Sequence, residues 1–127
     1  MTRKKILVVD DEENIRILYS EELQDEGYDV ITASNAEDAD IKIKESNPDL
    51  ITLDIKMPGM DGIELLRKLR EYDKNIPIVM CSAYSDYKQD FRTWASEAYI
   101  IKSSDMLELK STIREIFKKR EVGKLGD

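Results

Sequence analysis

Asp54 closes the apolar run Leu50-Ile51-Thr52-Leu53 and is followed at once by Ile55-Lys56-Met57-Pro58-Gly59-Met60-Asp61-Gly62. A carboxylate there sits where a buried strand gives way to a turn, since Pro presets φ and Gly accepts φ > 0. Asp10 and Asp11 follow Lys5-Ile6-Leu7-Val8-Val9 in the same way. Ser82 ends Ile78-Val79-Met80-Cys81, and Lys102 ends Ala98-Tyr99-Ile100-Ile101. Three carboxylates in one pocket repel one another, and each resists ionising beside the others. An oxygen-seeking divalent cation answers that repulsion. Mg2+ suits a partly open site, because it binds through one or two carboxylates plus phosphate oxygens and keeps several waters. A lysine and a hydroxyl facing the same carboxylates complete a site for a dianionic phosphoryl group. Carboxylates are themselves nucleophiles toward phosphorus and form aspartyl phosphates.

Each residue also has a plainer reading. Asp11 can cap a helix, Lys102 can lead its charge out from a strand end, Ser82 can satisfy a turn, and Tyr99 can fill a core. Taken together, residues suited to metal and phosphate at four strand ends favour the chemical reading.

The elements that must bring these residues together alternate regularly. Lys5 to Asp10 reads as a strand. A helix follows from Glu12 to about Glu26, with Ile15, Leu18, Tyr19 and Leu23 on one face and Gly27 ending it. Asp29 to Ala33 is a second strand. Ser34 and Glu37 have capping-box spacing for a helix that stops at Asn47-Pro48. After the Asp54 strand, Asp61 and Glu64 cap a helix with Ile63, Leu66 and Leu69 inward. Ile76 to Ser82 is a fourth strand with Pro77 at its entry, where a missing N–H is tolerated. Tyr87, Phe91, Trp94 and Ala95 mark a short fourth helix, and Ala98 to Lys102 is the fifth strand. The last helix begins near Asp105 and carries Met106, Leu109, Ile113, Ile116 and Phe117 on one stripe. The expected layout is one domain over 1–120 and a disordered tail over 121–127.

Five strands alternating with five helices imply an α/β fold: a doubly wound, flavodoxin-like parallel sheet with helices on both faces. With right-handed crossovers and strand order 2-1-3-4-5, the first and third strands are neighbours. Asp10, Asp11 and Asp54 then converge at the switch point, where such sheets bind ligands.

Composition narrows the function classes. The 127 residues include 41% hydrophobic and 37% charged positions with net charge −7, which argues against nucleic acid or an anionic membrane as a main partner. A single cysteine, Cys81, fits a reducing cytosol, and no apolar run has membrane-spanning length. A cytoplasmic protein is expected. The chain contains no His, so it supplies neither a His nucleophile nor a His metal ligand.

From Lys4 to about Lys119 the sequence resembles the receiver domain of two-component response regulators, the CheY-like superfamily. The resemblance rests on Val8-Val9-Asp10-Asp11-Glu12, Leu53 through Gly62, Ser82-Ala83 and Tyr99-Ile100-Ile101-Lys102. It implies Asp54 as phosphoacceptor, and Asp10 and Asp11 as the acidic metal pair with Asp11 a direct ligand. The Lys56 backbone carbonyl is implied as a further Mg2+ ligand, and Lys102 as the lysine on the phosphoryl group. Ser82 and Tyr99 match the hydroxyl and aromatic that rearrange together on phosphorylation. Lys56 and Asn14-Ile15-Arg16-Ile17-Leu18 are most similar to stand-alone sporulation-type phosphorelay receivers. The resemblance implies a histidine kinase or histidine phosphotransfer protein as donor; to reach Asp54 it must contact the rim where the first helix begins, so Ile15, Ile17 and Leu18 are the expected docking residues. It implies a phosphoprotein switch rather than an enzyme, limited to self-phosphotransfer and slow autodephosphorylation, either as a single-domain relay protein or as part of a longer regulator.

Three features differ from the family pattern. Ser103 stands where a Pro usually follows a cis peptide bond, Ser82 replaces the commoner Thr, and the Ser82–Lys102 stretch is slightly short. Two other classes compete. A haloacid-dehalogenase-type phosphatase also uses a strand-end Asp with Mg2+, but places a second Asp where this chain has Lys56. A phosphorylation-independent adaptor of the same fold often lacks an acidic residue or the lysine, and this chain keeps them.

Overall fold

The computed structural model describes residues 3–73, 75–83, 91–103 and 105–126. The apolar runs become five parallel strands: β1 (Lys5–Val9), β2 (Asp29–Ala33), β3 (Leu50–Asp54), β4 (Ile78–Ser82) and β5 (Ala98–Ile101), in the order β2-β1-β3-β4-β5. All of β3 and β4 is buried, as expected where helices cover both faces of a parallel sheet. Side-chain alternation splits the core in two. Leu7, Val9, Ile51, Leu53, Ile78 and Met80 pack under α2 (Ala36–Ser46) and α3 (Gly62–Tyr72). Ile6, Val8, Leu50, Val79, Cys81 and Ile100 pack under α1 (Glu13–Asp25) and α4 (Leu107–Gly126).

Local chemistry sets the boundaries. The Asp61 carboxylate accepts the Glu64 N–H at 2.9 Å and starts α3. At α2 the cap is Asn35, which accepts the Asp38 N–H at 2.8 Å, one residue beyond the Ser34 that the capping-box spacing singles out. Asn and Ser cap almost equally well, so spacing alone does not separate neighbours. α2 ends on Asn47 in the left-handed region, φ 50°.

Two elements differ from the sequence expectation. Only Phe91–Ala95 of the anticipated fourth helix is described. It is a 3-10 segment, leaving four α-helices among the described residues; Tyr87 lies outside them. The N–H and hydroxyl of Ser96 both donate to the Thr93 carbonyl, closing this tight three-residue turn. The last helix runs through Gly126, past Glu121, where the sequence suggests a disordered tail. Extending a formed helix costs far less than nucleating one. No cis peptide bond occurs among the described residues, the Lys102–Ser103 bond included.

Gly62 is where the site and the fold meet most closely. A Cβ there would lie 2.0 Å from the Asp54 carbonyl oxygen and 2.9 Å from the Ile55 Cα. Both are backbone atoms that cannot rotate away. Gly62→Ala is therefore expected to force the β3–α3 loop off the end of β3, at a cost of about 3 kcal/mol, the upper end of ordinary overpacking. Urea unfolding checks this: a midpoint equal to wild type would show that the loop yields freely.

Candidate functional site

The C-terminal ends of β1, β3, β4 and β5 form one edge, and the ladder is extended there to seat the side chains. The Asp10 N–H donates to the Ala33 carbonyl at 3.1 Å, and the Lys102 N–H donates to the Ser82 carbonyl at 2.7 Å. Because β1 and β3 are neighbours, oxygens of Asp10, Asp11 and Asp54 lie within 4.8 Å of one another. Asp10 and Asp54 are buried, and Asp11 is exposed at the rim. Lys102 reaches in from the end of β5, placing Nζ 2.7 Å from Asp10 Oδ2 and 3.2 Å from Asp54 Oδ1. The other Asp10 oxygen accepts the Glu12 N–H at 2.9 Å, so this carboxylate also organises the entry to α1.

Burial, then the Asp10 charge, pushes the Asp54 carboxyl up to about 6 against the pull of Lys102. Burial pulls Lys102 down, but its hydrogen bonds and charge pairing with Asp10 and Asp54 prevail and raise it. The pocket therefore holds more negative charge than one ammonium neutralises. That surplus and the clustered oxygens fit a hard divalent cation held by Asp10, Asp11 and Asp54.

The other anticipated residues fall into distinct environments. Ser82 is fully buried at the end of β4, one residue beyond Cys81, the register partner of Asp54. Tyr99 lies opposite Met80 and packs, half-buried, against the α2/α3-side core. The Lys56 side chain is exposed on the loop after β3. On α1, Ile15 and Leu18 are half-buried against the core, while Ile17 is 49% exposed. Of the three, Ile17 offers the most apolar surface to a partner.

Sequence reasoning missed several groups around the pocket. Arg16 donates from Nη1 to the Asp10 carbonyl at 2.8 Å. Tyr19, buried on α1, shares a core cluster with Cys81 on β4, whose thiol donates to the Val79 carbonyl at 3.9 Å. Burial pushes that thiol up to about 12 and keeps it protonated and unreactive. Tyr19 looks in sequence like one more member of the apolar stripe, and its hydroxyl carries no periodic signal.

No helix among the described residues is long and apolar enough to cross a membrane. The family model of the response regulator receiver domain matches residues 6–114. Sporulation initiation phosphotransferase F of Bacillus subtilis is 39% identical over 118 residues, covering 91% of this chain and 94% of that protein. The alkaline phosphatase synthesis transcriptional regulatory protein PhoP of the same organism is also 39% identical, and there the match covers 94% of this chain but 50% of the relative. Among solved structures, the response regulator TrrA of Thermotoga maritima, in complex with Mg2+ and beryllofluoride, is 46% identical. It superposes with a TM-score of 0.86 over 88% of this chain and 97% of its own. TrrA has also been solved in complex with the histidine kinase ThkA, with a TM-score of 0.83. The sheet order, the acidic cluster and these relatives agree, and the chain belongs to the response regulator receiver domain family.

Proposed function

We propose that this chain is a cytoplasmic phosphoacceptor switch in which Asp54 takes a phosphoryl group from a phospho-histidine of a histidine kinase or histidine phosphotransfer protein. The observation that carries this reading is the buried Asp54 at the end of the central strand, facing Asp10 and Lys102. The chain has no His, so the phospho-histidine belongs to the donor. An Asp54 carboxylate oxygen attacks phosphorus in line, an O–P bond forms, the N–P bond breaks and the donor imidazole leaves. Asp10, Asp11, Asp54 and the Lys56 carbonyl are the Mg2+ ligands in this reading, and the ion, when bound, offsets charge on the carboxylates and phosphoryl oxygens. Lys102 and Ser82 hydrogen-bond the phosphoryl oxygens. Ser82 moves toward them, Tyr99 follows, and the surface around β5 and α4 changes its partner affinity. The chain's own chemistry stops at self-phosphotransfer and slow autodephosphorylation. Lys56, two residues after Asp54, cannot serve as the acid/base Asp of a phosphatase.

The test compares a small donor with a protein donor. Acetyl phosphate with Mg2+ is expected to add one phosphoryl group to wild type by intact mass, and none to Asp54→Ala. Ile17→Glu is expected to slow transfer from a phosphorylated histidine donor at least tenfold and to leave acetyl phosphate labelling unchanged. Equal labelling of Asp54→Ala would overturn the acceptor assignment. Equal loss with both donors in Ile17→Glu would overturn the docking role.

A further inference from the structure

The N-terminal edge of the sheet, opposite the acidic pocket, has its own convergence of elements. Arg70, in the last turn of α3, is half-buried there. Its Nε donates to the Ala95 carbonyl at 2.9 Å, and its Nη1 donates to the carbonyls of Ile76 at 2.6 Å and Asp73 at 3.3 Å. One planar guanidinium thus ties together the end of α3, the approach to β4 and the end of the 3-10 segment. Glu97, two residues beyond Ala95, donates its N–H to the Ile78 carbonyl at 2.7 Å. Its carboxylate accepts from Arg120 of α4 at 3.0 Å. The segment turns Thr93 inward, 3% exposed, and Trp94 outward, 72% exposed.

A five-residue 3-10 turn has poor hydrogen-bond geometry of its own and needs outside support. A fixed fork donating to backbone carbonyls gives that support at little entropic cost, and a lysine cannot reproduce it. We propose that Arg70 is a latch: it pins the C-terminal end of the Phe91–Ala95 segment to α3 and so holds the Trp94-bearing surface in one position. Downstream of the latch, β5 runs from Ala98 to Ile101 and delivers Lys102 to the acidic pocket, roughly 13 Å beyond Ala98 at the usual rise per residue. A displacement begun at Lys102 then reaches Trp94 as a swing about a fixed point. Without the latch it dissipates in a loose segment.

Trp94 is the chain's one tryptophan, so its fluorescence reads the segment without a label. In the ligand-free wild type, Trp94 anisotropy is expected to decay mainly with overall tumbling. Arg70→Gln is expected to add a fast nanosecond component and to speed exchange of the Ser96 amide at least tenfold. Arg120→Gln, which cuts only the link to Glu97, should leave both measurements as in wild type. Wild-type anisotropy and exchange in Arg70→Gln would overturn the latch, and so would equal loosening in Arg120→Gln. Should Arg70→Gln fail to fold, Arg70→Lys is read the same way, since it keeps the charge and loses the fork. The long-range part of the inference rests on the proposed phosphoacceptor function and is read separately. Beryllofluoride with Mg2+ should alter Trp94 emission in wild type and not in Arg70→Gln. A silent wild type would count against that function and the swing together, while the ligand-free measurements still decide the latch.

Discussion

Asp54→Asn is expected to make the metal-free protein more stable at pH 8, by up to about 3 kcal/mol, while abolishing the phosphoryl adduct. The size follows from a carboxyl raised from its ordinary 3.8 to about 6, at 1.36 kcal/mol per unit. Its sign follows from proton counting. Between those two values the folded protein holds a proton on Asp54 that the unfolded chain has released, so stability falls as pH rises through the window. Above about pH 6 the full penalty is present, and below about 3.8 it is gone. Asparagine removes the titration and keeps the shape. Urea unfolding of both proteins in chelator from pH 4 to 8 should give curves that separate as pH rises. Mg2+ should then favour the wild type, by roughly 2.7 kcal/mol at a hundredfold excess over its dissociation constant if the unfolded chain does not bind it. Parallel curves in chelator would mean that Asp54 is not charged against its environment, and the proposed acceptor would lose its stored electrostatic strain.

How much of this was legible in the sequence depends on what each residue's job requires. β3 and β4 could be read because strands buried on both faces are mostly apolar, as Ile78–Cys81 is throughout and Leu50–Leu53 is apart from Thr52. The acidic edge could be read because Asp10, Asp11, Asp54, Ser82 and Lys102 each end such a run, and parallel topology puts those ends together. The Asp61 cap was legible because its partner Glu64 lies three residues away in sequence. What stayed hidden is set by side-chain direction and long-range approach. Arg70 meets Ala95 across 25 residues, and any long cation on an exposed helix face looks the same. The packing of Tyr19 beside Cys81 depends on how α1 lies across β4. Of the fourth helix expected over Tyr87, Phe91, Trp94 and Ala95, the described part, Phe91–Ala95, is a 3-10 segment, because a spacing of three or four residues over so short a stretch does not tell an α-turn from a 3-10 turn.

Lys102→Met should have the opposite sign from Asp54→Asn and an effect at least as large. The Lys102 ammonium is mostly buried, with Asp10 at 2.7 Å and Asp54 at 3.2 Å, and methionine keeps its stem while removing its charge. Two buried carboxylates then face each other without a counter-charge, a loss that typically costs about 3–5 kcal/mol. The folded-state value of Lys102 is raised above its ordinary 10.5, so its stabilisation is fully present below that pH and is lost only as pH climbs through the raised value. At pH 8 the whole contribution is therefore at stake. Two rescues follow from the same charges. Acidification toward pH 5 lets Asp54 take a proton, and saturating Mg2+ replaces the missing cation, so either should narrow the gap to wild type. The phosphoryl step should not be rescued by Mg2+. A charge-assisted hydrogen bond of about 1.5–3 kcal/mol would be gone from the transferring group, which corresponds to labelling by acetyl phosphate slower by roughly ten- to a hundredfold. Unfolding curves in chelator and in Mg2+, paired with labelling rates, separate the two contributions. A variant as stable as wild type in chelator would show that Lys102 does not hold the acidic pair, and wild-type labelling would remove it from the transfer.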